Sequence, residues 1–243
     1  MMLASKVLAE ELKSHNKWLN SQEAKPAKQG AVDVFEYKPN GRSDYYYDET
    51  TTKSLVVLHH TAGWFWGDID TLTTSHYHVS VAFVVARSGW IYRLFNPKLW
   101  SSHLGTEQNV VGGSVFNGKR SIAIEISNVG QLKEEGNDMT FVNSKYCGAN
   151  ENQYYNKLAQ PYRGERVFAT FTDEQYASVK ALLDQLCGEF NIPRTFMPAN
   201  TRYNVFGSAN EAKAYSGIAS HVNFRATGKT DIGPTFDWSK IGA

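Results

Sequence analysis

Cysteine is scarce in this 243-residue chain: Cys147 and Cys187 are the only two, and neither belongs to a C-x-x-C pair. They read as ordinary thiols, with one disulfide between them possible but not implied. An excess of charge of one sign is also missing. The 25 Lys and Arg against 24 Asp and Glu leave a net charge of +1, which gives no support to a nucleic-acid or acidic-surface partner. No apolar run reaches the roughly 18 residues a membrane span needs. The opening MMLASKVLAEELKSHNKWLN is broken by Lys6, Glu10 and Glu11, too polar for a signal-peptide core, so the chain is expected to be made in the cytoplasm without a cleaved signal. Internal repeats, low-complexity tracts and the H-E-x-x-H of zinc peptidases are absent as well.

What is present is globular: 42% hydrophobic and 13% aromatic residues, enough for one core of ordinary size. Leu3, Val7, Leu8, Leu12, His15 and Leu19 recur at helical spacing and predict an amphipathic N-terminal helix. A polar stretch punctuated by Pro26, Gly30, Pro39 and Gly41 follows, read as a surface connector that completes an extension over residues 1–52. SLVVLHHTAG then gives a buried strand, VSVAFVVA and WIYRLF a hairpin turning at RSG, and SIAIEISNVG a further strand. Residues 130–168 are polar without a clear period and read as an insertion or long loop. FTDEQYASVKALLDQLCGEF is the strongest helix, with Thr172 as N-cap, Gln175 three residues on, and Pro193 beyond its end. Strands covered by helices imply an α/β domain over 53–243, with a central mixed β-sheet flanked by helices.

Candidate chemistry starts at His59 and His60, which end the first buried strand, where α/β sheets usually build sites. A strand-end histidine is more often structural than a ligand, and the H-x-H of His76 and His78 reads as surface. His221 stands ten residues before Asp231 across a Gly-containing loop that also carries Lys229. Two imidazoles and a carboxylate with an open fourth position form the ligand set of a catalytic zinc site. A solvated loop whose charges pair with each other is the alternative. Glu125 interrupts the isoleucine alternation of SIAIEIS: either that face of the strand is exposed, or a carboxylate stands beside the site as a general base.

Taken in order, VVLHHTAG, SSHLG, SIAIEISNVG and HVNFRATGKTDIGPTFDW resemble the zinc-dependent N-acetylmuramoyl-L-alanine amidases of type 2 (amidase-2). That family includes phage lysozyme-type amidases, muropeptide-recycling amidases and peptidoglycan recognition proteins. The resemblance covers roughly residues 53–240, with 130–168 poorly matched. It implies an amidase-2 single domain with an N-terminal helical extension and one Zn2+ per chain, held by His59, His221 and Asp231. It further implies Glu125 as general base and Lys229 as partner of the oxyanion. His103 is expected to line the substrate groove, and His60 to sit behind the ligands near substrate. Val81 stands where lysozyme-type members carry a catalytic tyrosine, which makes the recycling-type arrangement the better template. Ile232 replaces the proline of the usual D-P-G, with Pro234 close behind.

The implied reaction is hydrolysis of the amide between N-acetylmuramic acid and L-alanine, in peptidoglycan or muropeptides. A lytic, endolysin-like enzyme acting as a monomer on the cell wall after release is the expected setting. A cytosolic recycling amidase and a non-catalytic peptidoglycan-binding module are the alternatives. Non-catalytic relatives generally lack the third ligand, which this chain keeps as Asp231.

Overall fold

The chain's apolar strands assemble because both faces of the sheet they form are covered, so they read as continuous hydrophobic runs rather than alternating ones. Leu55–His60 and Phe83–Val85 are buried at every position. The structure, a computed structural model, describes residues 2–243. Among these described residues twelve strands are formed: β1 (Ala24–Gln29), β2 (Val32–Tyr37), β3 (Leu55–His60), β4 (Phe83–Val85), β5 (Ile91–Arg93), β6 (Ser121–Ile126), β7 (Gln131–Glu135), β8 (Asp138–Phe141), β9 (Ser144–Gly148), β10 (Tyr155–Tyr162), β11 (Glu165–Ala169) and β12 (Gly217–Ser220). Five α-helices accompany them: α1 (Val7–Ser21), α2 (Phe65–Leu72), α3 (Ser114–Arg120), α4 (Asp173–Phe190) and α5 (Ala209–Ala214). Among the described residues no helix is long and apolar enough to cross a membrane.

The central sheet is mixed, in the order β1-β2-β5-β4-β6-β3-β12. Strands β4, β6, β3 and β12 run parallel, and β5 is antiparallel to β4 in the hairpin expected from VSVAFVVARSGWIYRLF. On one face Val56 and Leu58 pack into the main core with α4 residues Val179, Leu182, Leu183 and Leu186 and with Trp18 of α1. On the other, Leu55 and Val57 meet a smaller cluster built by Leu104, Val110, Phe206 and Phe224. Helix α4 begins where expected: Thr172 Oγ1 accepts the Gln175 N–H and the Gln175 side chain accepts the Thr172 N–H, a complete capping box. It ends at Asn191, held in the left-handed region, two residues before Pro193.

Three expectations from the sequence are corrected. The polar connector contains the β1–β2 hairpin, which extends the central sheet through parallel pairing of β2 with β5. It escaped notice because an edge strand tolerates Pro26 and polar residues on its open side. Helix α1 keeps Val7 and His15 of the expected face inside but turns Glu11 and Trp18 inward with them, while Leu8 and Leu12 face solvent. Its register is set by the Trp18 ring, which meets Tyr37, Phe65 and Tyr92, and by the His15 Nδ1 contact to the Tyr92 hydroxyl. Residues 131–169 form no loop but a second, antiparallel sheet in the order β10-β11-β7-β8-β9. It has its own core of Leu132, Met139, Tyr146, Cys147, Val167 and Ala169. Cys147 lies in that core and Cys187 in α4, both buried and free, so no disulfide joins them.

Candidate active site

Register across three adjacent parallel strands creates the site. Glu125 of β6 pairs with His59 of β3, and Ser220, the last residue of β12, pairs with Leu58. His221 therefore follows in the same row as His59 and Glu125. Neighbours in one row of a parallel sheet, about 4.8 Å apart, point to the same face. His59 thus shares the face of Leu55 and Val57, whereas His60 points to the opposite one.

The chain between His221 and Asp231 loops out and returns, closed at its neck by the Val222 N–H donating to the Asp231 carbonyl at 2.9 Å. That return sets the Asp231 carboxylate against both imidazoles. Nδ1 of His59 lies 2.9 Å from Nδ1 of His221, and Asp231 Oδ2 lies 3.2 Å from the first and 3.0 Å from the second. Among the described residues this is the one grouping of three His, Cys, Asp or Glu donors close enough to hold a metal, and all three are buried. A tetrahedral zinc shell with bonds of about 2.0–2.1 Å has edges of about 3.3 Å. The observed triangle fits one face of such a shell, and two imidazoles with one carboxylate are a zinc donor set.

Electrostatics agree with that use. Burial, then the neighbouring His221, push the His59 imidazole down to about 4, so it is neutral with a lone pair to offer at pH 7. Burial works to raise Asp231, but His221 and His59 beside it hold the carboxyl well below its ordinary value. Glu125 moves the other way: burial, then the charge of Asp231, drive it well above the usual carboxylate range, with Lys229 opposing. Its Oε2 is buried without a hydrogen-bond partner among the described residues.

Behind the three donors a hydrogen-bond chain fixes the tautomers of the imidazoles. With Nδ1 of His59 in the triangle, its Nε2–H donates to His103 Nδ1 at 2.9 Å. His103 then carries its own proton on Nε2 and donates to Ser121 Oγ at 2.6 Å, and that hydroxyl donates to the Gly118 carbonyl at 3.2 Å. His221 Nε2–H donates to the Leu104 carbonyl at 3.0 Å. Such partners orient metal-binding imidazoles and raise their basicity.

The structure brings together His59, His221, Asp231 and Glu125, and sets Lys229 on the exposed part of the loop, where its charge acts on His59 and Glu125. His103 is buried behind His59 rather than open to a groove. His60 is buried on the far face against Gly130, where an added Cβ would stand 2.5 Å from the ring. His76 is exposed beside Asp44, and His78 stacks on Tyr47. Phe236 and Trp238 anchor the end of the loop in the main core, and Asp237 caps the final turn by accepting the Ser239 N–H. Ser121 was missed because a serine opening a strand carries no signal of its own. Arg163, which reaches the loop from the second sheet, lay in a stretch without periodicity.

Comparison with curated protein sequences returns no match. Solved structures that align over most of the chain include the following three. AmiD, the N-acetylmuramyl-L-alanine amidase from E. coli in complex with anhydro-N-acetylmuramic acid-L-Ala-D-gamma-Glu-L-Lys, is 16% identical over 89% of this chain, with a TM-score of 0.48. A selenomethionine derivative of AmpD is 17% identical over 82% of this chain and 96% of its own, with a TM-score of 0.43. LysCS, an endolysin N-acetylmuramoyl-L-alanine amidase from Clostridium intestinale, is 14% identical over 88% of this chain and 95% of its own, with a TM-score of 0.46. The present chain spans 64% of the length of AmiD. The model of one enzyme family, described as N-acetylmuramoyl-L-alanine amidase, matches residues 49–234, from just before β3 to just past Asp231. With more than half its length matched, the chain belongs to the N-acetylmuramoyl-L-alanine amidase family.

Proposed function

We propose that the protein is a zinc-dependent amidase that hydrolyses the bond between the lactyl group of N-acetylmuramic acid and L-alanine, acting on the cell wall as a lytic, endolysin-like enzyme. The observation that carries this reading is the buried triangle of His59, His221 and Asp231 with Glu125 in the same row of the sheet. The neighbours named above for muropeptide and endolysin activity are consistent with it.

His59, His221 and Asp231 would hold the ion. When bound, zinc supplies Lewis-acid activation of water and of the scissile carbonyl, and its charge offsets the burial that raises Glu125. The chain's own residues do the rest. Glu125 accepts the proton of the attacking water and returns it to the leaving amine, a task for which a raised carboxyl pKa suits it as acid and base in turn. Lys229 directs its ammonium toward the negative charge that grows on the carbonyl oxygen. His103 and the Leu104 carbonyl keep the two imidazoles turned inward. A recess of about 460 Å³ between Lys229, Thr227, Thr230 and the second-sheet residues Gln131, Arg163 and Glu165 leaves room beside the site. Retention of the third ligand together with Glu125 and Lys229 favours catalysis over a purely binding role.

The test is metal analysis followed by incubation with intact sacculi and with soluble anhydro-muropeptides, products being identified by mass spectrometry. One zinc per chain and release of stem peptides beginning with L-alanine are expected, and are lost in His59→Ala. Preference for sacculi supports the lytic setting, whereas preference for soluble fragments turns the reading toward recycling. A metal-free protein that binds sacculi without cutting them refutes the enzymatic reading.

A further inference from the structure

The second sheet makes most of its hydrogen bonds to the active-site loop through one residue of its β10–β11 turn. Tyr162 pairs with Glu165, leaving Arg163 and Gly164 as a two-residue turn with both φ positive, 51° and 90°. From that turn Arg163 reaches across to the loop between the two ligands. Its Nη1 donates to the carbonyls of Arg225 at 2.7 Å and Lys229 at 2.8 Å, and its Nη2 donates to that of Val222 at 3.1 Å. The second sheet touches this loop and the chain just beyond Asp231 once more each. Thr230 Oγ1 donates to Gln131 Oε1 at 3.3 Å, and the Tyr162 ring lies on Gly233, where an added Cβ would stand 2.9 Å from it.

Beyond the single turn His221–Asn223, the loop has no helix or strand to fix its shape. Carbonyls that find no ladder must be satisfied by side chains or water. A planar guanidinium with five donors can bind several at once from one rigid position, and an ammonium on a flexible stem cannot do so in the same geometry. The three carbonyls span the loop from the residue after His221 to the residue two before Asp231, so fixing them fixes the path of the loop whose neck the Val222–Asp231 hydrogen bond closes.

We propose that Arg163 is a positioning residue for the metal centre: by gathering the Val222, Arg225 and Lys229 carbonyls it holds the loop in the shape that brings His221, Asp231 and Lys229 together. The insertion is thereby a working part of the active site. This rests on the metal reading above for its consequence, though not for the clamp itself.

The test compares Arg163→Ala and Arg163→Lys with Arg166→Ala in the full chain. Arg166 lies in the same strand pair and donates only to the neighbouring Leu158 and Ala159 carbonyls. Hydrogen exchange followed by mass spectrometry reads the clamp without reference to metal. Competition between the zinc-loaded protein and a chromophoric chelator reads its consequence. Arg163→Ala should speed exchange across residues 222–230 at least about tenfold while the second sheet and β3 keep their protection, and should weaken zinc binding about 10- to 100-fold. Arg163→Lys should fall between, methylguanidinium should partly restore zinc affinity to Arg163→Ala, and Arg166→Ala should match the parent. Unchanged exchange in Arg163→Ala overturns the proposal, as does loss of protection spread over the whole second sheet, which marks a merely structural arginine. A parent protein that binds no zinc refutes the metal reading instead, and the exchange measurement then decides the clamp.

Discussion

Replacing Glu11 by glutamine should make the protein more stable at neutral pH, although Glu11 is the polar centre of the buried face of α1. The side chain is fully buried, with Oε2 accepting the Arg87 backbone N–H at 2.8 Å and Oε1 left without a partner among the described residues. Burial lifts its carboxyl from 4.5 to about 7, with Arg87 pulling it down and the nearby Asp68 pushing it up. A folded-state pKa above the unfolded one means that between pH 4.5 and about 7 the folded chain holds a proton that the unfolded chain has released. Stability from that proton is full below pH 4.5 and is lost as pH rises through about 7. At about 1.4 kcal/mol per pKa unit the loss comes to about 3 kcal/mol. Glutamine keeps the carbonyl that accepts from Arg87 and has no proton to lose. Urea unfolding of both proteins at pH 4 and pH 8 reads this group, since titrations that do not couple to Glu11 cancel in the difference. The difference should swing by about 3 kcal/mol toward Glu11→Gln between those pH values. A difference constant to within about 0.5 kcal/mol would falsify the claim that Glu11 is folded into the core as a neutral acid.

Asp68, lifted from 3.8 to about 7 by burial against the opposing Thr61 hydrogen bond, should behave likewise in Asp68→Asn, read by the same unfolding series. His103→Ala should weaken zinc binding about 10- to 100-fold in chelator competition, whereas His103→Gln, whose carbonyl can accept from His59 and whose amide can donate to Ser121, should recover most of it. Glu125→Gln should lower muropeptide hydrolysis by at least about 100-fold with zinc content unchanged, and substantial residual turnover sinks its assignment as the base. Thr172→Ala should cost about 1 kcal/mol in urea unfolding by removing half of the capping box of α4, with no change in zinc affinity.

The parts of the fold visible in the sequence were those where one signal dominated. In α4 the cap, the apolar face and the breaker all agree, and β3, β4 and β6 are apolar because both faces of the sheet are covered. Helix α1 was visible as a helix but not in its orientation. Its inward face carries Glu11, which a hydrophobicity pattern assigns to solvent, and only its partner Arg87, 76 residues away, makes that position a buried one. The strands of the second sheet are short, and β7, reading QLKEE, buries Leu132 alone. A sheet that packs against its own small core on one side and solvent on the other leaves too few apolar residues per strand to stand out.

In the site, the legible residues are those whose position depends on strand register. His59 and Glu125 are paired neighbours in β3 and β6, and His221 comes in line because β12 lies beside β3, so strand ends rich in histidine and carboxylate were a fair guide. Asp231 and Lys229 belong to a different class. Their places depend on a loop without regular structure, and nothing in HVNFRATGKTDIG itself dictates how such a loop closes. Its shape is imposed at the neck by the Val222–Asp231 hydrogen bond and at its centre by Arg163, a residue some sixty positions earlier in a stretch with no discernible pattern. The donor types of the candidate site were therefore readable from the residues, while the contacts that shape the loop were not, because one guanidinium among polar neighbours looks like any solvated arginine until the carbonyls it binds are known.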